Sequence, residues 1–184
     1  MPWSNVLFME PISDIEHATA VAGSVSAGVE ALRRSAFWKI GDKELLTLAE
    51  TLERVGRLVY AAQVHLTGEL DTRRVFQGNG AVSTAALLRQ RLCLSPAEAA
   101  GRVRAARVIL PRDLPTGGEA PPALPELRDA VDSGTVGTEQ VRTVIATMAG
   151  LPAGVDPEMR DLVRAKLVDH AKVTEPVLFA KFAR

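Results

Sequence analysis

The spacing of seven apolar residues constrains this chain more than any other feature. Leu45, Leu48, Leu52, Val55, Val59, Ala62 and Leu66 step by 3, 4, 3, 4, 3 and 4 residues. Only an α-helix brings such positions onto one face. The run predicts a helix near 43–71, roughly 45 Å long at ~1.5 Å per residue. Asp42 reads as its N-cap, and Glu44 lies near the positive end of its dipole. A seam of this kind buries itself in a bundle core or against a second chain, as in a coiled coil. The flanking charges are not patterned for partner choice, which favours the core.

The rest of the chain is punctuated for helices too, and no segment alternates with period two long enough to make a strand. Pro11 to about Arg34 reads as a weaker helix interrupted by Gly23 and Gly28, followed by an apolar connector of Phe37, Trp38 and Ile40. Gly78-Asn79-Gly80 reads as a loop, after which Ser83 caps a helix over Thr84–Leu92. Ser95-Pro96-Ala97-Glu98 has serine at N-cap, proline at the first helical position and glutamate three residues on, a capping box that opens a helix to about Leu110. Pro125 opens a helix that stops at Ser133-Gly134, Thr138 caps the next, Asp156-Pro157-Glu158 starts another and Thr174-Glu175-Pro176 the last. The expectation is an all-α, multi-helix bundle of about eight helices. Its segments are an N-terminal helix and connector over 1–41, the long helix with an arginine-rich hairpin over 42–110, a proline- and glycine-rich loop over 111–123, and C-terminal helices over 124–184 packing on the same domain. The apolar fraction of 47% supports a core, and aromatics at only 4% imply close packing of small side chains.

The formal net charge of zero hides a strong asymmetry. Between Thr72 and Arg112 stand eight arginines and one acid, Glu98, a local charge of +7; residues 1–71 carry −4 and residues 113–184 carry −3. A positive stripe attracts phosphate backbones, and arginine adds bidentate recognition. Arg73, Arg74, Arg89, Arg91, Arg104 and Arg107 are therefore the candidate nucleic-acid contacts. The two helices around Cys93-Leu94-Ser95 have the outline of a helix-turn-helix, whose second helix enters a major groove. On that helix Arg104 and Arg107 share a flank and Arg102 lies on the other. The rival reading pairs these arginines with acids of the long helix, such as Glu50 and Glu53, and uses Arg73-Arg74 to balance a helix dipole.

Several function classes lack their residues. His17, His65 and His170 show no metal-ligand spacing, and Gly78-Asn79-Gly80 lacks the lysine and serine of a phosphate loop. No catalytic, cofactor or metal site is expected, and no small-molecule substrate. Cys93, flanked by Leu92 and Leu94, reads as a buried, inert thiol. A single cysteine suits a reducing cytoplasm. Apolar runs of about five residues are far short of the ~20 that cross a bilayer, so no membrane partner is expected. The segment Met1–Pro11 has no basic residue and does not read as a secretory signal.

Three stretches together resemble the 13E12 repeat family of actinobacterial proteins, domain of unknown function 222. They are the leucine-striped Glu44–Leu70, the segment Ser83–Ile109 with its Leu94-Ser95-Pro96-Ala97-Glu98-Ala99 core, and Ala123–Pro152 with its Leu-Pro start and Gly134 break. The resemblance spans roughly 42–182. It implies a helical region placed before a C-terminal HNH endonuclease domain, and hence a DNA-processing protein. This sequence holds no HNH histidines and no zinc-knuckle cysteines, so no catalytic residue carries over. The chain is expected to be a fragment or natural truncation that is non-catalytic alone and binds or positions DNA. The alternative is a protein-interaction module without nucleic-acid contact, such as a homodimer through the long helix.

Overall fold

Local capping chemistry sets most helix boundaries in the computed structural model, which describes residues 14–114 and 116–183. Among these are nine α-helices: α1 (Ile15–Arg33), α2 (Asp42–Thr72), α3 (Val75–Gly78), α4 (Thr84–Leu92), α5 (Pro96–Ile109), α6 (Pro125–Asp132), α7 (Thr138–Gly150), α8 (Pro157–Val173) and α9 (Pro176–Phe182). The expected all-α class holds. Two-residue strands β1 (Arg112–Asp113) and β2 (Glu119–Ala120) form a short antiparallel ladder inside the segment read as a plain loop. The four-residue α3 was also not foreseen.

The serine and acid caps act as the sequence implies. Ser83 accepts from the Ala86 amide at 3.2 Å, Ser95 from Glu98 at 3.1 Å and Asp156 from Met159 at 2.9 Å. The capping box at Ser95 is only half made. The Glu98 carboxylate turns instead to Arg102, 2.9 Å away. Two other caps shift by one residue. Asp42 is already helical, with the Gly41 carbonyl accepting from Leu45, and Gly137 rather than Thr138 occupies the N-cap of α7. Gly134, at φ 68°, closes α6 with paired bonds from Gly134 to Val131 and from Thr135 to Ala130.

The chain divides into two units, Met1–Leu48 and Ala49–Arg184. In the first, α1 runs unbroken through Gly23 and Gly28, capped by Asp14, and buries none of its residues. The expected start of that helix at Pro11 lies outside the described residues.

In the second unit a single core joins Tyr60, Ala61 and Val64 of α2 with Ala105, Ala106 and Ile109 of α5, and continues through α6, α7 and α8 to Phe179. A smaller cluster of Leu88, Ala99 and Val103 ties α4 to α5. The face of α2 that enters this core corrects the expectation. It carries Tyr60, Ala61, Val64, Thr67 and Gly68, which at 100° per residue lie on the side of the helix opposite the leucine seam. Leu45, Val59 and Leu66 are exposed, Leu66 at 62%. The cause is close approach. A Cβ at Gly68 would overlap the Leu110 side chain and lie 3.6 Å from Ala106. A row of leucines would hold α2 away from α5.

Candidate nucleic-acid interface

The arginine block folds around α5, much of which is buried in the second unit. Ala99, Gly101, Val103, Ala105, Ala106 and Ile109 are all buried. A recognition helix must present a whole face to a groove, and α5 keeps outside little more than Pro96, Ala97, Arg104 and Arg107. The two helices and tight corner of a helix-turn-helix are present, and the exposed positions of α5 fall within about 100° of one another, a single narrow face.

The corner exposes Cys93, contrary to the expectation of a buried thiol. Cys93 ends α4 in the left-handed region at φ 53°, and that backbone reversal turns its side chain outward while Leu94 takes the inward position.

Three of the eight arginines are tied to carboxylates. Arg107 donates to Asp71 at 2.9 Å, Arg102 to Glu98 at 2.9 Å, and Arg73 forms an ion pair with Glu69 one turn back on α2. Asp71 is the most tightly specified of these acids. It also accepts from the buried Thr84 hydroxyl at 2.6 Å, joining α2 to the start of α4. Burial pushes the Asp71 carboxyl upward, but the bonds from Arg107 and Thr84 outweigh it and hold the group below the usual carboxylate range. The rival pairing with Glu50 and Glu53 is not what forms. Glu53 holds Arg57, which itself donates to the Thr135 carbonyl at 3.0 Å.

Arg74, Arg89, Arg91, Arg104 and Arg112 are exposed and have no carboxylate partner among the described residues. Arg74 takes φ 50° at the break between α2 and α3, and Arg91 donates to the Asn79 side chain at 2.9 Å. These two, with Arg73, stand around α3. Arg91 borders a largely apolar groove lined by Leu66, Leu70, Leu87 and Leu92, whereas Arg89 lies on another side of α4 beside Gln90 and Cys93. Arg104 and Arg107 both stay exposed yet border different cavities. Arg107 lines a cleft of about 510 Å³ with Arg112 and Arg128 opposed by Glu69, Asp71 and Glu119; Arg104 lines a second cavity with Arg160 and Arg164. Four of the six predicted residues, Arg89, Arg91, Arg104 and Arg107, thus border four different surface hollows.

Among the described residues no group of three or more metal-ligating side chains occurs, and no helix is long and apolar enough to cross a membrane. The His65 ring lies 2.8 Å from Asp132, and His170 packs against Phe182 with ring centroids 4.0 Å apart. Neither the Asp71–Thr84–Arg107 junction nor the His65–Asp132 contact had a sequence signal, because their members lie 13 to 67 positions apart.

No curated protein and no solved structure matches this chain. The model of a family described as a domain of unknown function, DUF222, matches residues 46–184, about three quarters of the chain and all of the six candidate arginines. The match begins within α2 and takes in the core, the arginine-bearing helices and the C-terminal helices, so the chain belongs to the DUF222 family.

Proposed function

We propose that this helical region grips DNA through its phosphate backbone, without reading bases, and positions a larger DNA-processing protein on the duplex. The observation that carries this reading is the set of five exposed arginines left without carboxylates in a chain of zero net charge. An exposed guanidinium with no carboxylate partner keeps its charge available to exchange counterions for phosphate. Only a narrow face of α5 stays exposed, which favours backbone contact and little sequence preference over base readout. The likeness to proteins that carry an HNH endonuclease domain supports the choice of DNA and an actinobacterial setting, and the single cysteine supports a cytoplasmic one. The chain itself has no nuclease role in this reading. Fluorescence anisotropy of a labelled duplex at low salt tests it. Binding is expected with similar affinity for unrelated sequences, and plasmid incubated with magnesium, manganese or zinc stays uncut. No binding at low salt would retire the reading.

One observation favours self-association as a second reading. Val59 and Leu66 form an exposed apolar face on α2, and Gly56 on the edge of that face has no atom within 4 Å of where a Cβ would stand. A glycine in a helix interior costs about 1 kcal/mol relative to alanine, and no packing in the fold explains it. Two copies of α2 crossing near Gly56 would cover Val59 and Leu66. Analytical ultracentrifugation of the wild type and of Val59→Glu with Leu66→Glu decides. A wild-type monomer at about 100 µM sinks this second reading.

A further inference from the structure

The Arg104 cavity is built differently from the rest of the arginine surface. Helices α5, α7 and α8 and the segment leading into α6 line an open cavity of about 310 Å³. Its floor is apolar, made by Leu124, Ile145 and Met148, all nearly buried. Three arginines border it, and only one is neutralised. Arg164 donates to Glu126 at 3.0 Å and to Asp161 at 2.8 Å, which engages both nearby carboxylates. Arg160 donates to the backbone carbonyl of Pro152 at 3.0 Å and meets no acid, and Arg104 has no partner at all among the described residues. No acid lines the cavity.

Two uncompensated guanidinium groups beside an apolar, low-dielectric floor attract an anion more strongly than the same groups in open water. The floor in turn favours a ligand that brings apolar area to cover it. We propose that this cavity binds a small organic anion, with a carboxylate or phosphate head held by Arg104 and Arg160 and a compact apolar body resting on Leu124, Ile145 and Met148. Arginine suits such a head because its fork donates two parallel hydrogen bonds to two oxygens. The site needs no nucleic acid and no second copy of the chain. The cavity can be tested without duplex, although Arg104 belongs to both surfaces and duplex and ligand would compete for it.

Protein labelled with ¹³C at its methionine methyl groups provides the test, since the Met148 methyl group reports from the cavity floor. The probes are octanoate and octyl phosphate, with octanol supplying the body without a head and inorganic phosphate the head without a body. The Met148 signal is expected to shift saturably with octanoate or octyl phosphate, at least tenfold more tightly than with octanol or inorganic phosphate. The tighter of the first two identifies the head group. Arg104→Gln, at an exposed position whose change leaves the melting temperature in place, should weaken that binding about tenfold, and Arg160→Gln should do likewise. No saturable shift at millimolar probe, equal binding of octanol, or unchanged binding by Arg104→Gln would each overturn the proposal. A protein that fails to bind duplex yet shows the shift keeps the cavity and loses only the DNA reading.

Discussion

On α5, Arg102 keeps only 12% of its side chain in water and lies 2.9 Å from Glu98, while Arg107 lies 2.9 Å from Asp71. On the neighbouring α4, Arg89 and Arg91 stand exposed with no carboxylate beside them. The two helices carry arginine at similar density. They differ in position: α5 lies among α2, α4, α6 and α7, so Arg102 on its inner side loses water and needs a partner. Arg107 reaches Asp71 while staying 64% exposed and Arg104 stays unpaired, whereas α4 leaves one side to solvent. The charge of a stretch of sequence is therefore a poor guide to its field. What reaches a distant anion is the part that folding leaves unpaired, and in this molecule that part lies mainly outside the buried helix.

The comparison breaks most readily at Asp71. Asp71→Ala removes the anchor of Arg107 and strands the Thr84 hydroxyl, which is 1% exposed. The expected loss is about 2–3 kcal/mol in urea denaturation, the scale of a buried donor left without an acceptor. A loss under about 0.5 kcal/mol would mean the α5 arginines are no more structural than those of α4. Arg102→Ala comes next, at about 1–2 kcal/mol, because the stem packs inside as well as the head pairing.

Acid titration sharpens the same contrast. Asp71 and Glu126 both titrate below the usual range in the fold. For Asp71 burial opposes, but the bonds from Arg107 and Thr84 prevail; for Glu126 the Arg164 bond leads and burial opposes it. A depressed folded pKa gives stability that is complete above the unfolded value, near pH 4, and is lost as pH falls through the folded one. Stability should accordingly hold from pH 7 to about 5 and decline below about 4, and Asp71→Asn should flatten part of that decline. The smallest effects belong to α4. Arg89→Ala and Arg91→Ala should each change stability by less than about 0.5 kcal/mol, as exposed positions without an ion pair do.

Much of the fold was legible because it rests on local chemistry. Ser83, Ser95 and Asp156 announce their helices in a few residues, and Gly134 announces the end of α6. What escaped reading depends on partners far along the chain. The 3–4 spacing at Leu45–Leu66 correctly gives a long helix but does not say which side faces inward. That choice was made by Gly68, Ala61 and Ala106, whose small size lets α2 and α5 touch, and small residues leave little mark on a periodicity count. Cys93 misled for a related reason: leucine neighbours imply burial only while the backbone stays regular, and here it reverses. Of the candidate contacts, the exposure of Arg74, Arg89, Arg91 and Arg104 follows from surface position, whereas the engagement of Arg107 depends on Asp71, 36 positions away.

The division between free and engaged arginines is tested most directly by the salt dependence of duplex binding. For the wild type, log K should fall against log salt with a slope of about −4, given roughly −0.9 for each of four or five phosphate contacts. Removing charge at Arg74, Arg89, Arg91 and Arg104 together should bring the slope close to −1 without lowering stability, whereas Arg107→Gln should leave it within about half a unit of the wild type. An unchanged slope in the fourfold variant, or a fall at Arg107→Gln as large as at Arg104→Gln, would contradict the account.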